Sequence, residues 1–380
     1  MRILSDGLFQ VDPQRYTAAI LNPPYKKIRS ESEFRQLLRG IGIETSNLYT
    51  AFLALVVSLL EREGEFVSIT PRSFCNGPYF KPFREHLLKA VDLRQIMVFE
   101  GRDDAFHEDE VLQENVIMHG VKRSTQSRTV LISQARTPED KDLLQQKVPF
   151  DRVVHPDDQQ RFIRLVPEET GRVLANTMES LPCGLKDLGL EVSTGRVVDF
   201  RARSWLRREP EACTVPLIYP SHFVRGTVSW PKIGGRKPNS IRLDAKTSNL
   251  LTPAGVYVLV KRFSSKEEPR RVVAAVFNPA EVLCEYVGFE NHLNYFHASG
   301  NGLDLGLAWG LMAFLNSSQL DTYFRQFNGH TQVNATDLRS LRYPCRAALI
   351  ALGERIKSPI PSQSEIDAIV AQALQAVVVQ

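Results

Sequence analysis

Ala18-Ala19-Ile20-Leu21-Asn22-Pro23-Pro24-Tyr25 is the stretch on which the chain turns. An apolar run stops abruptly at an Asn, two consecutive prolines and an aromatic, the pattern of a buried strand ended by a stiff, extended tetrapeptide. Neither proline has an N–H to give a neighbouring strand, and each fixes its own φ, so a ladder cannot continue past Asn22. The Asn22 side chain and the carbonyls of Asn22 and Pro23 are thereby held projecting from the strand's carboxyl end, where open α/β sheets bind ligands. Tyr25 adds a flat face beside them. For four residues taken alone, an accidental strand end with a Pro-Pro turn is the competing reading.

The chain of 380 residues is long enough for two domains, and 43% hydrophobic with 24% charged residues describes a soluble protein with a substantial core. A formal net charge of +4 permits a nucleic-acid partner without requiring one. Five cysteines, Cys75, Cys183, Cys213, Cys284 and Cys345, form no CxxC pair. That scatter predicts a reducing, cytoplasmic setting and no structural metal. The most apolar segment, Ala51 to Leu60, is too short to span a membrane, and the amino terminus lacks a signal-peptide core.

Outward from the tetrapeptide, Tyr49, Phe52, Leu53, Val56 and Leu60 recur near helical spacing and predict a crossover helix packed on the sheet, with Gly64 as its C-cap. Gly64 to Pro71, Leu93 to Phe99, Leu112 to Met118 and Arg128 to Ser133 read as strands, and Phe83 to Lys89 as a helix. This alternation makes residues 1–150 an α/β domain. A doubly wound sheet should open with a strand, a Gly-rich turn and a helix that hold a cofactor, and nothing upstream of Asn22 has room for them. Either the topology differs or a cofactor-binding half lies elsewhere. Mixed charge without a period around residues 134–156 marks the domain boundary.

The second region, 151–345, reads as β-rich, with short strands at Gly195 to Val198, Val215 to Tyr219, Gly255 to Val260 and Arg271 to Phe277. Its loops interleave cations with aromatics, among them Arg225 and the basic tip Gly234-Gly235-Arg236-Lys237-Pro238. Lys26 and Lys27, directly after the tetrapeptide, add to the basic set. These residues describe either a basic accessory surface or a domain that contacts phosphates and reads bases. Helices follow at Gly302 to Leu315 and at Leu320 to Phe327, the latter carrying Arg325. A polar loop then brings His330, Gln332 and Asn334, with Asn334 or Thr336 as the N-cap of a short helix; such a loop either reads bases or joins helices. Residues 346–380 read as a peripheral helical tail.

Taken together, Asn22-Pro23-Pro24-Tyr25, Asn47-Leu48-Tyr49, Ile69-Thr70-Pro71-Arg72-Ser73-Phe74, Leu112 to Ile117 and Phe324 to Leu338 resemble the N6-adenine-specific DNA methyltransferases of restriction–modification systems. The likeness is to the gamma arrangement, with the catalytic domain first and the target-recognition domain second. It implies a partial Rossmann-like methyltransferase sheet followed by a mixed, β-rich recognition domain with carboxyl-terminal helices. It implies S-adenosyl-L-methionine as cofactor, double-stranded DNA as partner and a cognate restriction endonuclease in the same system. Asn22 and Pro23 would accept the two hydrogens of adenine N6, and Tyr25 would stack on a base flipped from the duplex. Phe106 would pack against that base, and Asp6 would lie near the cofactor's adenine. The family's cofactor-gripping turn has no counterpart upstream of Asp6, so the sequence resembles a methylase whose amino-terminal cofactor segment is supplied by an upstream polypeptide. Two other readings stay open: a catalytically inactive DNA-binding specificity fragment, and a methyltransferase acting on RNA or protein.

Overall fold

Strand β1 (Tyr16–Leu21) ends where the prolines begin and runs parallel to β2 (Leu60–Pro71), with Leu21 opposite Ser68. These relations come from a computed structural model that describes residues 15–99, 115–123, 125–135, 143–165, 169–264, 270–327, 332–356 and 360–378. Between the strands lie α1 (Glu33–Gly40) and α2 (Leu48–Leu59). The apolar spacing predicted α2. Its Leu53, Ala54 and Val57 are buried in one core with Phe66 of β2. Gly64 does not cap this helix, because the chain enters β2 directly at Leu60. Its role is tighter: a Cβ there would come within 3.0–3.2 Å of the carbonyls of Glu61, Tyr16 and Thr17. That close approach falls where the β1–β2 register slips, from Tyr16 opposite Leu60 to Ala18 opposite Glu65, which is a place where glycine is needed.

After β2 come α3 (Lys81–Ala90), β3 (Val91–Phe99), β4 (Asn115–Lys122), β5 (Thr129–Ala135) and β6 (Leu144–Pro149). The sheet order is β1-β2-β4-β3-β5-β6, with β4 antiparallel between β2 and β3. Strand β6 lies inside the stretch read as a domain boundary. It is an edge strand with only Val148 buried, so its sequence carries little apolar alternation.

The chain divides into two compact units at Arg172/Val173, and Gln326 groups with the first. The first unit therefore runs past residue 150. Ile163 N–H donates to the Cys75 carbonyl at 2.9 Å, and Arg84 donates to the Gln160 carbonyl, tying the segment after β6 to the turn after β2.

In the second unit one sheet has the order β10-β11-β15-β14-β17-β7 and the other β13-β16-β9-β12-β8. The first contains β7 (Glu191–Thr194), β10 (Phe223–Val224), β11 (Thr227–Val228), β14 (Tyr257–Lys261), β15 (Ala274–Phe277) and β17 (Leu293–His297). The second contains β8 (Leu206–Arg207), β9 (Thr214–Ile218), β12 (Ser240–Arg242), β13 (Leu251–Pro253) and β16 (Tyr286–Phe289). The strand expected over residues 195–198 is displaced to β7. At Gly195 the chain passes so close to the Glu290 carbonyl, 2.2 Å from a would-be Cβ, that no side chain fits, and of the expected strand Val197 keeps an isolated bridge to Glu290. Between the sheets, Tyr257, Phe277, Phe289 and Tyr295 pack ring on ring at 5.0–6.5 Å.

Among the described residues, the helices after these sheets are α4 (Leu305–Leu315), α5 (Ser318–Phe327), α6 (Ala335–Ser340), α7 (Arg346–Arg355) and α8 (Gln363–Val378). The tail is not peripheral. A Cβ on Gly310 of α4 would sit 1.7 Å from the Leu349 carbonyl of α7, and one on Gly353 1.9 Å from the Gly306 carbonyl. The two helices touch backbone to backbone through paired glycines, and Leu349 and Leu352 are buried beside them.

Candidate active site

Asn22 projects exposed from the end of β1 and makes no hydrogen bond among the described residues. Pro23 is buried and Pro24 exposed. The chain beyond is stitched down by backbone bonds from Leu48 N–H to the Lys26 carbonyl and from Ile28 N–H to the Ser46 carbonyl, each 2.8 Å. The tetrapeptide is thus fixed on one side by a sheet strand and on the other by the entry to α2.

Tyr25 is half-buried. Its hydroxyl lies 3.5 Å from the Ile69 carbonyl, and its ring meets Tyr49 edge-on at 6.1 Å. Tyr49 in turn shares a 2.9 Å hydrogen bond with Ser73 and packs on Phe80 at 5.7 Å. Burial raises the phenol pKa of both tyrosines above the ordinary value, so both rings stay neutral near pH 7. Sequence reasoning took Tyr49 as a core position of the apolar helix. Its second role, buttressing Tyr25, has no signature in helical spacing. Behind this wall the turn after β2 is held by Arg84, which is fully buried and donates to the carbonyls of Phe74, Gly77 and Gln160.

The arrangement offers a rigid amide and an aromatic ring, with no titrating base in the tetrapeptide. It can position and polarise an amino group by accepting its hydrogens. It is not built to abstract a proton. Among the described residues no group of three or more His, Cys, Asp or Glu is placed to hold a metal ion. Among the described residues β1 stands at the edge of its sheet, and Ile20 on it is 91% exposed.

The expected DNA contacts fall into several places. Lys26 and Lys27 are exposed beside the tetrapeptide. Arg35 and Arg39 on α1 both pair with Glu44, whose carboxyl is held below its ordinary range, chiefly by the bond from Arg39. In the second unit Arg236 is exposed at its loop tip, and Lys237 bonds Asp199 at 2.8 Å while lying 5.1 Å above the Tyr219 ring. That loop is anchored from inside by Asn239, which receives Lys232 N–H at 2.9 Å and donates to the Arg208 and Lys232 carbonyls. Arg225 stands apart from it, in the β10–β11 hairpin turn whose Gly226 lies against Met312 of α4. Arg325 pairs with Asp321 at 2.6 Å on its own helix. Gln332 bridges to Phe263, and Asn334 is the N-cap of α6, its N–H received by Asp337 at 2.8 Å. Asp6, Phe106 and His330 lie outside the described residues.

The family model of the Eco57I restriction-modification methylase matches residues 6–106. The chain is 48% identical over 361 residues to the type II methyltransferase M.PstI of Providencia stuartii, covering 95% of this chain and 71% of that relative. To the type II methyltransferase M.BsuBI of Bacillus subtilis it is 48% identical over 364 residues, with coverages of 95% and 72%. In architecture it is similar to the type IIL restriction-modification enzyme MmeI, solved in complex with DNA, with a TM-score of 0.59 at 11% identity over 100% of this chain and 56% of that one. Identity sustained at this level, over more than two thirds of each relative, is far beyond what a shared fold alone produces, and the chain belongs to the type II restriction–modification methyltransferases.

Proposed function

We propose that this chain is a methyltransferase that modifies adenine N6 in double-stranded DNA, and that the described residues include those that bind the substrate base and read the DNA. The observation that carries the reading is Asn22, exposed and uncommitted at the end of β1, beside the buttressed ring of Tyr25. Adenine N6 is a weak nucleophile because its lone pair is delocalised into the ring. Asn22 Oδ1 and the Pro23 carbonyl accept its two hydrogens and draw electron density toward the nitrogen. Tyr25 stacks on the base, which has to leave the duplex for the atom to be reached. Fixed donor–acceptor geometry of this kind lowers the barrier by orientation more than by acid–base chemistry.

S-adenosyl-L-methionine would supply the electrophilic methyl group. Because β1 stands at the edge of its sheet among the described residues, the segment that holds this cofactor would pair beside it. In the second unit, the cations around Arg236 and Lys237 and the polar segment at Gln332 support target recognition, as does architectural likeness to a protein solved with DNA. The cognate endonuclease of such a system would act on the same duplex. All five cysteines are free, in keeping with a reducing cytoplasm, and no helix among the described residues is long and apolar enough to cross a membrane.

The test is tritiated methyl transfer to duplex DNA by this chain, with and without a polypeptide carrying the cofactor-binding half. Asn22→Ala is expected to lower turnover by about 10²–10³-fold, the loss typical for one positioned hydrogen-bonding group. Full activity of that variant refutes the mechanism. Transfer that requires the added polypeptide, with DNA binding unchanged by its absence, selects the divided arrangement.

A further inference from the structure

Glu290 is one of the buried ionisable side chains of the second unit. Its carboxyl group is 1% exposed, and burial raises its pKa. Both of its oxygens are spent on one neighbour: Oε2 receives His292 N–H at 2.9 Å, and Oε1 lies 2.5 Å from His292 Nδ1. His292 itself is 47% exposed and adds nothing to the core. Oε2 secures the backbone of the turn between β16 and β17, while Oε1 is left to orient a surface ring that the core does not need. It fixes the imidazole with Nδ1 inward and Nε2 outward.

The ring so fixed is not isolated. Phe263, 40% exposed, lies 4.9 Å from it, and the Arg262 guanidinium stands 5.8 Å over Phe263. Arg262 is held by Nη1 donation to the Asn291 carbonyl at 3.0 Å and by its own N–H to the His292 carbonyl at 2.8 Å. Val333 N–H donates to the Arg262 carbonyl, and Phe263 bridges to Gln332, so the polar segment after α5 arrives at the same place. A guanidinium, an aromatic face and an imidazole are therefore gathered on one surface by strand ends.

We propose that Arg262, Phe263 and His292 form a base-reading contact with double-stranded DNA, and that Glu290 is the positioning residue for His292. The proposal rests on the DNA-methyltransferase reading and names part of its recognition surface. The chemistry fits a base edge: an arginine fork matches guanine O6 and N7, an apolar face meets a thymine methyl, and an oriented ring nitrogen adds direction. A phosphate contact would need charge alone, with neither the aromatic nor a buried carboxylate to aim the imidazole.

The experiment is selection from a pool of duplexes with a randomised core, followed by affinity measurement on the selected duplex. Wild type, His292→Ala, Glu290→Gln and the double variant are compared, with thermal melts confirming that each is folded. His292→Ala is expected to weaken the selected duplex roughly ten-fold or more and to broaden the consensus at a confined position, as loss of one base contact does. Glu290→Gln is expected to broaden the same position to a smaller degree and to add nothing in the His292→Ala background, the non-additivity of residues acting as a unit. An unchanged consensus with His292→Ala overturns the proposal, including when affinity falls with a shallower salt dependence, which marks a phosphate contact. Additive effects overturn the role of Glu290. If wild type selects no consensus at all, the DNA-reading function itself fails, which separates that failure from the failure of this contact.

Discussion

Arg84→Met is the sharpest perturbation of the frame behind the tetrapeptide. Arg84 is fully buried, with Nη1 on the carbonyls of Phe74 and Gly77 at 2.9 and 2.8 Å. Nε and Nη2 both reach the Gln160 carbonyl at 3.0 and 2.8 Å, and the guanidinium lies 5.0 Å from the Phe162 ring centre. Methionine fills much of the stem but strands three acceptors. A buried acceptor left unmade costs ~1–3 kcal/mol, and at the low end three of them come to ~3–4 kcal/mol. Loss of the cation–π contact adds ~1 kcal/mol. The expected destabilisation of the first unit is therefore about 4 kcal/mol, with Arg84→Lys costing about half because one ammonium keeps some of the bonds. All three tryptophans, Trp205, Trp230 and Trp309, lie in the second unit, so their fluorescence is blind to the loss. Hydrogen exchange across β2 and α3 reads the first unit directly, and tryptophan fluorescence serves as the internal control. A loss below ~1 kcal/mol in β2 and α3, or an equal shift in the tryptophan transition, refutes the reasoning.

Two further outcomes concern the second unit. Gly310→Ala places a methyl where the Leu349 carbonyl already stands, so α4 and α7 have to separate; the expected cost is ~3 kcal/mol, read as an earlier tryptophan-monitored transition in urea. His222 is buried with Nδ1 accepting Tyr219 N–H at 2.9 Å and Nε2 within 3.1 Å of Asn239 Oδ1, an arrangement that needs the neutral ring. Burial lowers its folded pKa below the ordinary value of about 6.5, so its contribution is present above that pH and is lost as pH falls toward the lowered value. The urea midpoint of the second unit should therefore drop between about pH 7 and pH 5.5, and His222→Asn should flatten that segment of the curve. An identical slope in both proteins counts against the neutral-histidine account.

Much of the first unit was legible because its signals are local. A strand cut by two prolines and a helix with apolar residues at 3.6-residue spacing need nothing distant to be read, and β1 and α2 lie where those patterns put them, although β1 is largely exposed and not the buried strand its apolar run suggested. Gly64 shows the limit of such reading. A glycine after an apolar helix suggests a cap, but this one answers to carbonyls on β1, which no window around residue 64 contains. Strand β6 was missed because a sheet edge buries almost nothing and so leaves no alternation. Asn334 caps α6, one of the two caps its loop offered, and Arg325 pairs with Asp321 on its own helix. His292 carried no signal in the sequence, because its surroundings are a buried carboxyl group and an aromatic contributed by another strand end. At the tetrapeptide, residue types announced the chemistry, while the buttress of Tyr49, Ser73 and Phe80 was visible only once the turn after β2 was folded against α2.

The glycine contact between α4 and α7 also sets a schedule. A nascent chain emerges amino terminus first, and domains close as units when their parts are available. The surface of α4 around Gly310 is completed by Leu349 and Gly353, so the second unit cannot close until residues up to about the end of α7 have been made. A message truncated within that interval would yield a protein with a finished first sheet and one face of an apolar helix left bare, the kind of surface that quality-control proteases and aggregates both find.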